Sequence, residues 1–267
     1  MMDSRPTLIV TRVAEEAQAW VEALQRAGHG TTPVRAEALP LIEIAPVPDA
    51  QPLQDAWRRI SSFAAVMFVS ASAARHFLAH APNAPHAPHA LRARLWATGP
   101  GTQRALLEAG CDPALVDAPA ANANQFDSEA LWGKVAQQVA TGSRVLIVRG
   151  ADAQGHITGR DWLATQLEAA GADVEQVAAY VRRGPAFTEP QRARMAAAAA
   201  DGSIWLFSSS EAVGYLRAAL PAQNWSAARA VATHPRIAQA ARDAGFARVL
   251  TCRGTVEEIL ASIESFA

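Results

Sequence analysis

The stretch Leu206-Phe207-Ser208-Ser209-Ser210-Glu211-Ala212, with Tyr215-Leu216 after it, repeats an earlier one, Phe68-Val69-Ser70-Ala71-Ser72-Ala73-Ala74, with Phe77-Leu78 after it. Each reads as the end of an apolar strand, a hydroxyl-bearing turn and the start of a helix. A continuous apolar run suits a strand buried on both faces, and serine is a favoured helix N-cap. Two further blocks recur in the same order. Ala97-Thr98-Gly99-Pro100 through Ala109-Gly110 matches Ala232-Thr233-His234-Pro235 through Ala244-Gly245. Leu8-Ile9-Val10-Thr11-Arg12, followed by Leu24 and Gly28, matches Val145-Leu146-Ile147-Val148-Arg149, followed by Leu167 and Gly171. Any two strand–helix units can match once; three matches in order point to two similar lobes.

Outward from these blocks, short apolar runs alternate with amphipathic stretches. The runs are Thr7–Thr11, Ala64–Ser70, Leu95–Thr98, Ala114–Asp117, Arg144–Arg149, Asp173–Val177, Ile204–Ser208, Ala230–Thr233 and Val249–Cys252, with a weaker one at Thr32–Arg35 before Leu39–Val47. Between them, Ala17-Trp20-Val21-Leu24 and Trp162-Leu163-Gln166-Leu167 carry the spacing of a buried helical stripe. Alternating strand and helix predicts an α/β protein of parallel sheets covered by helices. A chain of 267 residues is comfortable for two such domains. Gly28, Gly110, Gly171 and Gly245 are read as helix-closing glycines.

Composition narrows the function. Half the residues are hydrophobic and 18% charged, so the chain buries a core rather than staying disordered. A net charge of −1 argues against a nucleic-acid binder. No apolar window is long enough to span a membrane, and the polar start Met1–Pro6 does not read as a signal peptide. Cys111 and Cys252 stand in no metal or redox spacing, which predicts a cytoplasmic protein with free thiols. The one lysine, Lys134, lies in a polar helical stretch, Ser128 to Ala140, and is read as solvated rather than as a Schiff-base residue. No G-x-G-x-x-G, P-loop or G-x-S-x-G motif is present. His76 and His80 have a metal-compatible spacing, but with His86 and His89 they border a Pro/Ala-rich stretch without acidic or thiol ligands, so no metal site is expected.

The remaining chemistry lies where strands end and helices begin: Thr11 and Arg12, Ser70 and Ser72, Thr98 to Thr102, Arg149 and Gly150, Ser208 and Ser210, Thr233 and His234. In open parallel sheets ligands bind beyond the carboxyl ends of the strands, where helix N-termini present free N–H groups to anions. Helix capping alone accounts for any single serine here. The full set from both lobes, aimed into one cleft, reads better as a site for an anionic ligand, with arginine suited to grip carboxylate or phosphate.

With these blocks laid out, the chain resembles the uroporphyrinogen-III synthase family over nearly its whole length. The resemblance rests on Leu8 to Arg12, Phe68 to Ser72, Ala97-Thr98-Gly99 with Thr102, Val145 to Gly150, Tyr180 with Arg182, and Leu206 to Ser210. It implies two flavodoxin-like parallel-sheet lobes formed by a tandem internal repeat and joined by a two-stranded antiparallel linker. Lobe 1 would be discontinuous, residues 1–38 and 184–267; the linker strands 39–47 and 179–183; lobe 2 residues 48–178. The alternation of Leu41-Ile42-Glu43-Ile44 fits such a ribbon.

The activity implied is cyclisation of hydroxymethylbilane, a linear tetrapyrrole polycarboxylate, with inversion of its terminal pyrrole and loss of water. No cofactor is implied, and the resemblance suggests a monomer with neither a nucleic-acid nor a membrane partner. It suggests Tyr180 as the catalytic group assisting departure of hydroxide, and Arg12, Ser70, Ser72, Thr102, Arg149, Ser208, Ser210 and His234 as substrate-binding. The sequence departs from the pattern at His234-Pro235-Arg236-Ile237, where some members carry Gly-Pro-Thr-Thr, so His234 or Arg236 would replace hydroxyl contacts. Val69 likewise stands for a threonine of some members. Two other readings fit two α/β lobes: a binding module for a small anionic ligand, and a glycosyltransferase, whose chains are usually longer.

Overall fold

The computed structural model describes residues 6–28, 34–81, 91–119, 128–157 and 161–266. His86, His89, most of the Pro/Ala-rich stretch and the start of the Thr32–Arg35 run lie outside them. The chain forms two compact units, Met1–Glu43 with Arg183–Ala267, and Ile44–Arg182.

In unit one, β1 (Thr7–Val10), β2 (Arg35–Ala38), β9 (Ile204–Phe207), β10 (Arg229–Ala232) and β11 (Arg248–Thr251) form a sheet ordered β11-β10-β9-β1-β2, every neighbour parallel. Read outward from β2, this is the 2-1-3-4-5 order of one doubly wound pattern. All four residues of β9 are buried, as a strand covered on both faces requires. Its side chains alternate. Ile204 and Leu206 join Leu8, Val10 and the apolar stripe of α1 (Ala14–Gly28), with Ile259 and Ile263 of α10 (Val256–Glu264). Trp205 and Phe207 instead meet Phe246 edge to face, and Phe246 stacks on Trp225.

In unit two the order is β3-β8-β7-β4-β5-β6, from β3 (Glu43–Pro46), β4 (Ala65–Phe68), β5 (Arg94–Ala97), β6 (Val116–Asp117), β7 (Arg144–Ala151) and β8 (Asp173–Arg183). The pairs from β8 to β6 are parallel. Val66 and Phe68 of β4 pack with α2 (Gln51–Arg58), α3 (Ala71–Ala79) and α4 (Pro100–Glu108). Ala65 and Met67, on the opposite face, pack with α5 (Ser128–Val135) and α6 (Trp162–Ala169). Helix ends follow local chemistry. Ser70 caps α3, and Pro100 and Pro235 open α4 and α9 (Pro235–Asp243) at first-turn positions where a missing N–H costs nothing. Thr188 and Gln191 form a capping box on α7 (Glu189–Ala198).

Four readings change in the structure. Ala114–Asp117 is strand only at Val116–Asp117, because capping by Asp112 and Pro113 start a 3₁₀ turn over Pro113–Leu115. The predicted helix over Ser128 to Ala140 ends at Val135 and tightens into a 3₁₀ turn. Asp173–Val177 and Ala179–Arg183, read as separate strands, are one unbroken β8 with a register shift inside it. Within Leu39–Val47 only Glu43–Pro46 is strand; Leu39 and Leu41 donate N–H bonds to Val10 and Thr11 and bury their side chains. Gly110, Gly171 and Gly245 close helices with positive φ. Gly28 is the last residue of α1, and an added Cβ there would meet the Val34 nitrogen at 3.1 Å.

Candidate functional site

Each sheet has a point at which the strand order reverses, between β1 and β9 in unit one and between β7 and β4 in unit two. Ligands of open α/β sheets bind in the crevice outside the carboxyl ends at such a point. Arg12, Ser208 and Ser210 follow β1 and β9; Ser70 and Ser72 follow β4, and Arg149 lies near the end of β7. The registers match as well. Leu8 stands opposite Ile204 as Val145 stands opposite Ala65, so Arg12 and Arg149 occupy corresponding positions along their strands.

In unit one, Thr11 is buried and its hydroxyl donates to the Leu206 carbonyl at 2.7 Å, fastening the two strand ends that border the crevice. Arg12 is half-buried. Its Nη1 donates to Glu16 at 3.1 Å, its guanidinium lies 4.3 Å from the Trp20 ring centroid, and its Nε is buried with no hydrogen-bond partner among the described residues. The serine that caps α8 (Ser210–Ala219) is Ser209, which accepts from the Glu211 N–H. Sequence matching pairs Ser70 with Ser208, but capping pairs Ser70 with Ser209. The strand before the turn ends one residue earlier relative to the serines in unit two, which identity matching does not register. Ser208 and Ser210 remain half-buried beside the cap. His234 caps α9, its Nδ1 accepting from the Arg236 N–H at 3.1 Å. This fixes the tautomer, so Nε2 carries the proton available to a ligand.

In unit two, Ser70 Oγ accepts from the Ala73 N–H at 3.1 Å and lies 3.2 Å from Tyr180 Oη. Tyr180 is buried, with His76 tilted against its ring at 5.8 Å between centroids. Ser72 is half-buried in the first turn of α3. Thr102 is buried in the first turn of α4, and the neighbouring Thr98 hydroxyl donates to the Val69 carbonyl at 3.1 Å. Arg149 is only 3% exposed; its Nη1 donates to Asp161 and Gln176. A buried guanidinium needs such partners, because desolvating an unpaired charge is costly.

Asp161 and Gln176 bind Arg149, Trp20 lies against Arg12 and Ser209 caps α8, although sequence reasoning gave none of them a place in the site. Only Ser209 carried a signal, in the run of three serines. Beside Gln176 a cavity of about 460 Å³ is bounded by Val47, Pro52, Ala151, Val177, Ala178 and Val181. Lys134 is exposed. Among the described residues no group of three or more His, Cys, Asp or Glu could hold a metal ion, and no helix is long and apolar enough to cross a membrane.

Against known proteins, the model of the uroporphyrinogen-III synthase HemD family matches residues 18–261. Among solved structures, the fold is similar to uroporphyrinogen-III synthetase from Helicobacter pylori, at 14% identity, covering 98% of this chain and 100% of that one with a TM-score of 0.61. It is also similar to a mutant uroporphyrinogen III synthase from the extremely thermophilic bacterium Thermus thermophilus, at 16% identity, covering 97% and 98% with a TM-score of 0.53. These two likenesses speak for the fold.

Proposed function

The chain belongs to the uroporphyrinogen-III synthase family, and on that premise we propose that it closes hydroxymethylbilane to uroporphyrinogen III with inversion of ring D and release of water. In this reading it is a hydro-lyase of tetrapyrrole biosynthesis, working without a cofactor as a cytoplasmic monomer.

Pyrrole chemistry explains why so little machinery suffices. Ring A is electron-rich, so departure of its hydroxyl leaves a stabilised azafulvene cation. The substituted carbon of ring D attacks this cation, and the spiro intermediate fragments and recloses with the ring turned over. Closure without the enzyme gives the non-inverted isomer. Catalysis is therefore chiefly a matter of holding one attack geometry, and about 1.4 kcal/mol of differential stabilisation changes the product ratio tenfold.

Arg12, Ser70, Ser72, Thr102, Arg149, Ser208, Ser210 and His234 are the proposed contacts to the substrate's carboxylates, and Tyr180 the proposed hydrogen-bond donor to the departing hydroxyl. What supports the set is one observation: these residues gather at the carboxyl ends of parallel strands, most of them at the reversal point of their own sheet. The hydrogen bond between Tyr180 and Ser70 joins the proposed donor to a proposed binding residue.

Incubation with enzymatically generated hydroxymethylbilane, with chromatographic separation of the isomers, tests the reading. The type III isomer is expected. Type I alone, at the rate of a protein-free control, overturns it and leaves the anion-binding module.

A further inference from the structure

We infer that Gly150, together with a one-residue bulge opposite it, is a positioning residue that seats the Tyr180 phenol on Ser70. The inference rests on the proposal that Tyr180 serves the reaction.

Along β7 and β8 the register runs Val148 to Val177 and Arg149 to Ala178, then jumps to Gly150 opposite Tyr180 and Ala151 opposite Val181. Ala179 is the extra residue. In an uninterrupted strand side chains alternate between faces, so Tyr180 would share a face with Ala178, away from Val177 and Ala179. The bulge breaks that rule. Val177, Ala179 and Tyr180 all lie in the core beneath α3, while Ala178 and Val181 pack together elsewhere, with Ala45 and Ala151. Bulges near functional sites re-aim side chains in this way. Here the re-aimed side chain is the tyrosine that meets Ser70 at 3.2 Å.

Re-aiming requires space on the neighbouring strand, and Gly150 supplies it. A Cβ built on Gly150 would lie 2.5 Å from Tyr180 Cζ, 2.7 Å from Cε2 and 2.8 Å from Oη. The φ of Gly150 lies outside the left-handed region, so its conformation does not require glycine. The phenol does. Any side chain at 150 must push the hydroxyl end of the ring off Ser70.

The sequence has two tyrosines, Tyr180 in unit two and Tyr215 in unit one, so ¹³C-tyrosine NMR of the whole protein reads the seat directly. In Gly150→Ala the Tyr180 ring signal is expected to shift while that of Tyr215 stays. In the same variant kcat should fall about a hundredfold, the lower end of what a placed proton donor contributes. KM should stay within about twofold, since Ser70 remains held by the Ala73 N–H and no proposed carboxylate contact is removed. Adding Gly150→Ala to Tyr180→Phe should cost little more than Tyr180→Phe alone. An unshifted Tyr180 signal overturns the inference. A shifted signal with a fully active Tyr180→Phe upholds the seat and removes the catalytic proposal instead. If Gly150→Ala is too unstable for NMR, thermal melts decide: Gly150→Ala must lower Tm far more in the wild-type background than in Tyr180→Ala, and equal losses overturn the inference.

Discussion

Arg149 offers one nitrogen, Nη1, to two acceptors at 2.7 Å each, the largely exposed carboxylate of Asp161 and the amide oxygen of Gln176. The guanidinium lies buried on the central strand β7, and of these two partners one stands in solvent and one on the adjacent strand. The two ends of this arrangement should differ in worth. Arg149→Met strips a half-buried amide of its donor and should cost about 1–3 kcal/mol in urea melts. Asp161→Asn removes an exposed, screened partner and should cost less than about 1 kcal/mol. Equal losses would mean that the ion pair, rather than the strand-to-strand contact, fixes the side chain.

The three serines after β9 separate capping from binding. Ser209 alone caps α8, so Ser209→Ala should cost about 1 kcal/mol of stability and leave KM unchanged. Ser208 and Ser210 cap nothing and are only half-buried, so Ser208→Ala and Ser210→Ala should move stability by less than about 0.5 kcal/mol. If they hold substrate carboxylates, each should raise KM roughly fivefold, the equivalent of one hydrogen bond of about 1 kcal/mol. A KM unmoved in both would remove them from the binding set.

Much of the architecture was legible because it follows from burial and local chemistry. The uninterrupted apolar runs of β4 and β9 told of strands covered on both faces, and all eight residues are buried. The serines, threonines and prolines at strand ends told where helices begin. Less legible was anything set by pairing between distant strands. The bulge that turns Tyr180 inward depends on β8 meeting β7 with one residue to spare, and no local pattern encodes that spare residue. The same holds for Arg149. Its match to Arg12 predicted like roles, but β7 continues through Ala151 whereas β1 stops at Val10, so one arginine is enclosed and the other faces partly outward. Gln176 and Asp161 gave no signal, because their roles exist only once Arg149 lies between them.

Acid should loosen the ion pairs around Glu175. Glu175 accepts from Arg59 at 2.9 and 2.5 Å and from Arg144 at 3.1 Å, and the hydrogen bond from Arg59, aided by both charges, lowers its pKa below the usual carboxylate value. A depressed carboxylate adds stability at pH above its unfolded pKa and loses it as pH falls through the folded one. Glu175→Gln should therefore cost about 1 kcal/mol at pH 7, discounted for solvent because the side chain is 33% exposed. The difference from wild type should vanish as pH drops below the range in which Glu175 takes up its proton, and shrink in high salt. A difference that persists at acid pH would assign the loss to packing.

The two thiols should report burial by rate. Cys111 is buried in the core beneath α3 and α4, and desolvation pushes its pKa up to about 11. Cys252 is half-buried and raised as well, by desolvation first and by the Glu258 charge, with a hydrogen bond involving Ser262 acting against both. Because the thiolate is the nucleophile, a disulfide reagent at pH 8 should modify Cys252 of the native protein well before Cys111, which should react only on unfolding. The sign with pH follows from linkage. Folding holds the Cys111 proton more tightly than the unfolded chain does, so its contribution is constant below about pH 9 and is lost as pH rises from 9.0 toward about 11. Cys111→Ala should flatten that alkaline decline in the unfolding free energy while lowering the plateau by the side-chain volume lost from the core. Labelling of Cys111 in the folded protein at the rate of Cys252 would mean that this core opens far more readily than its burial implies.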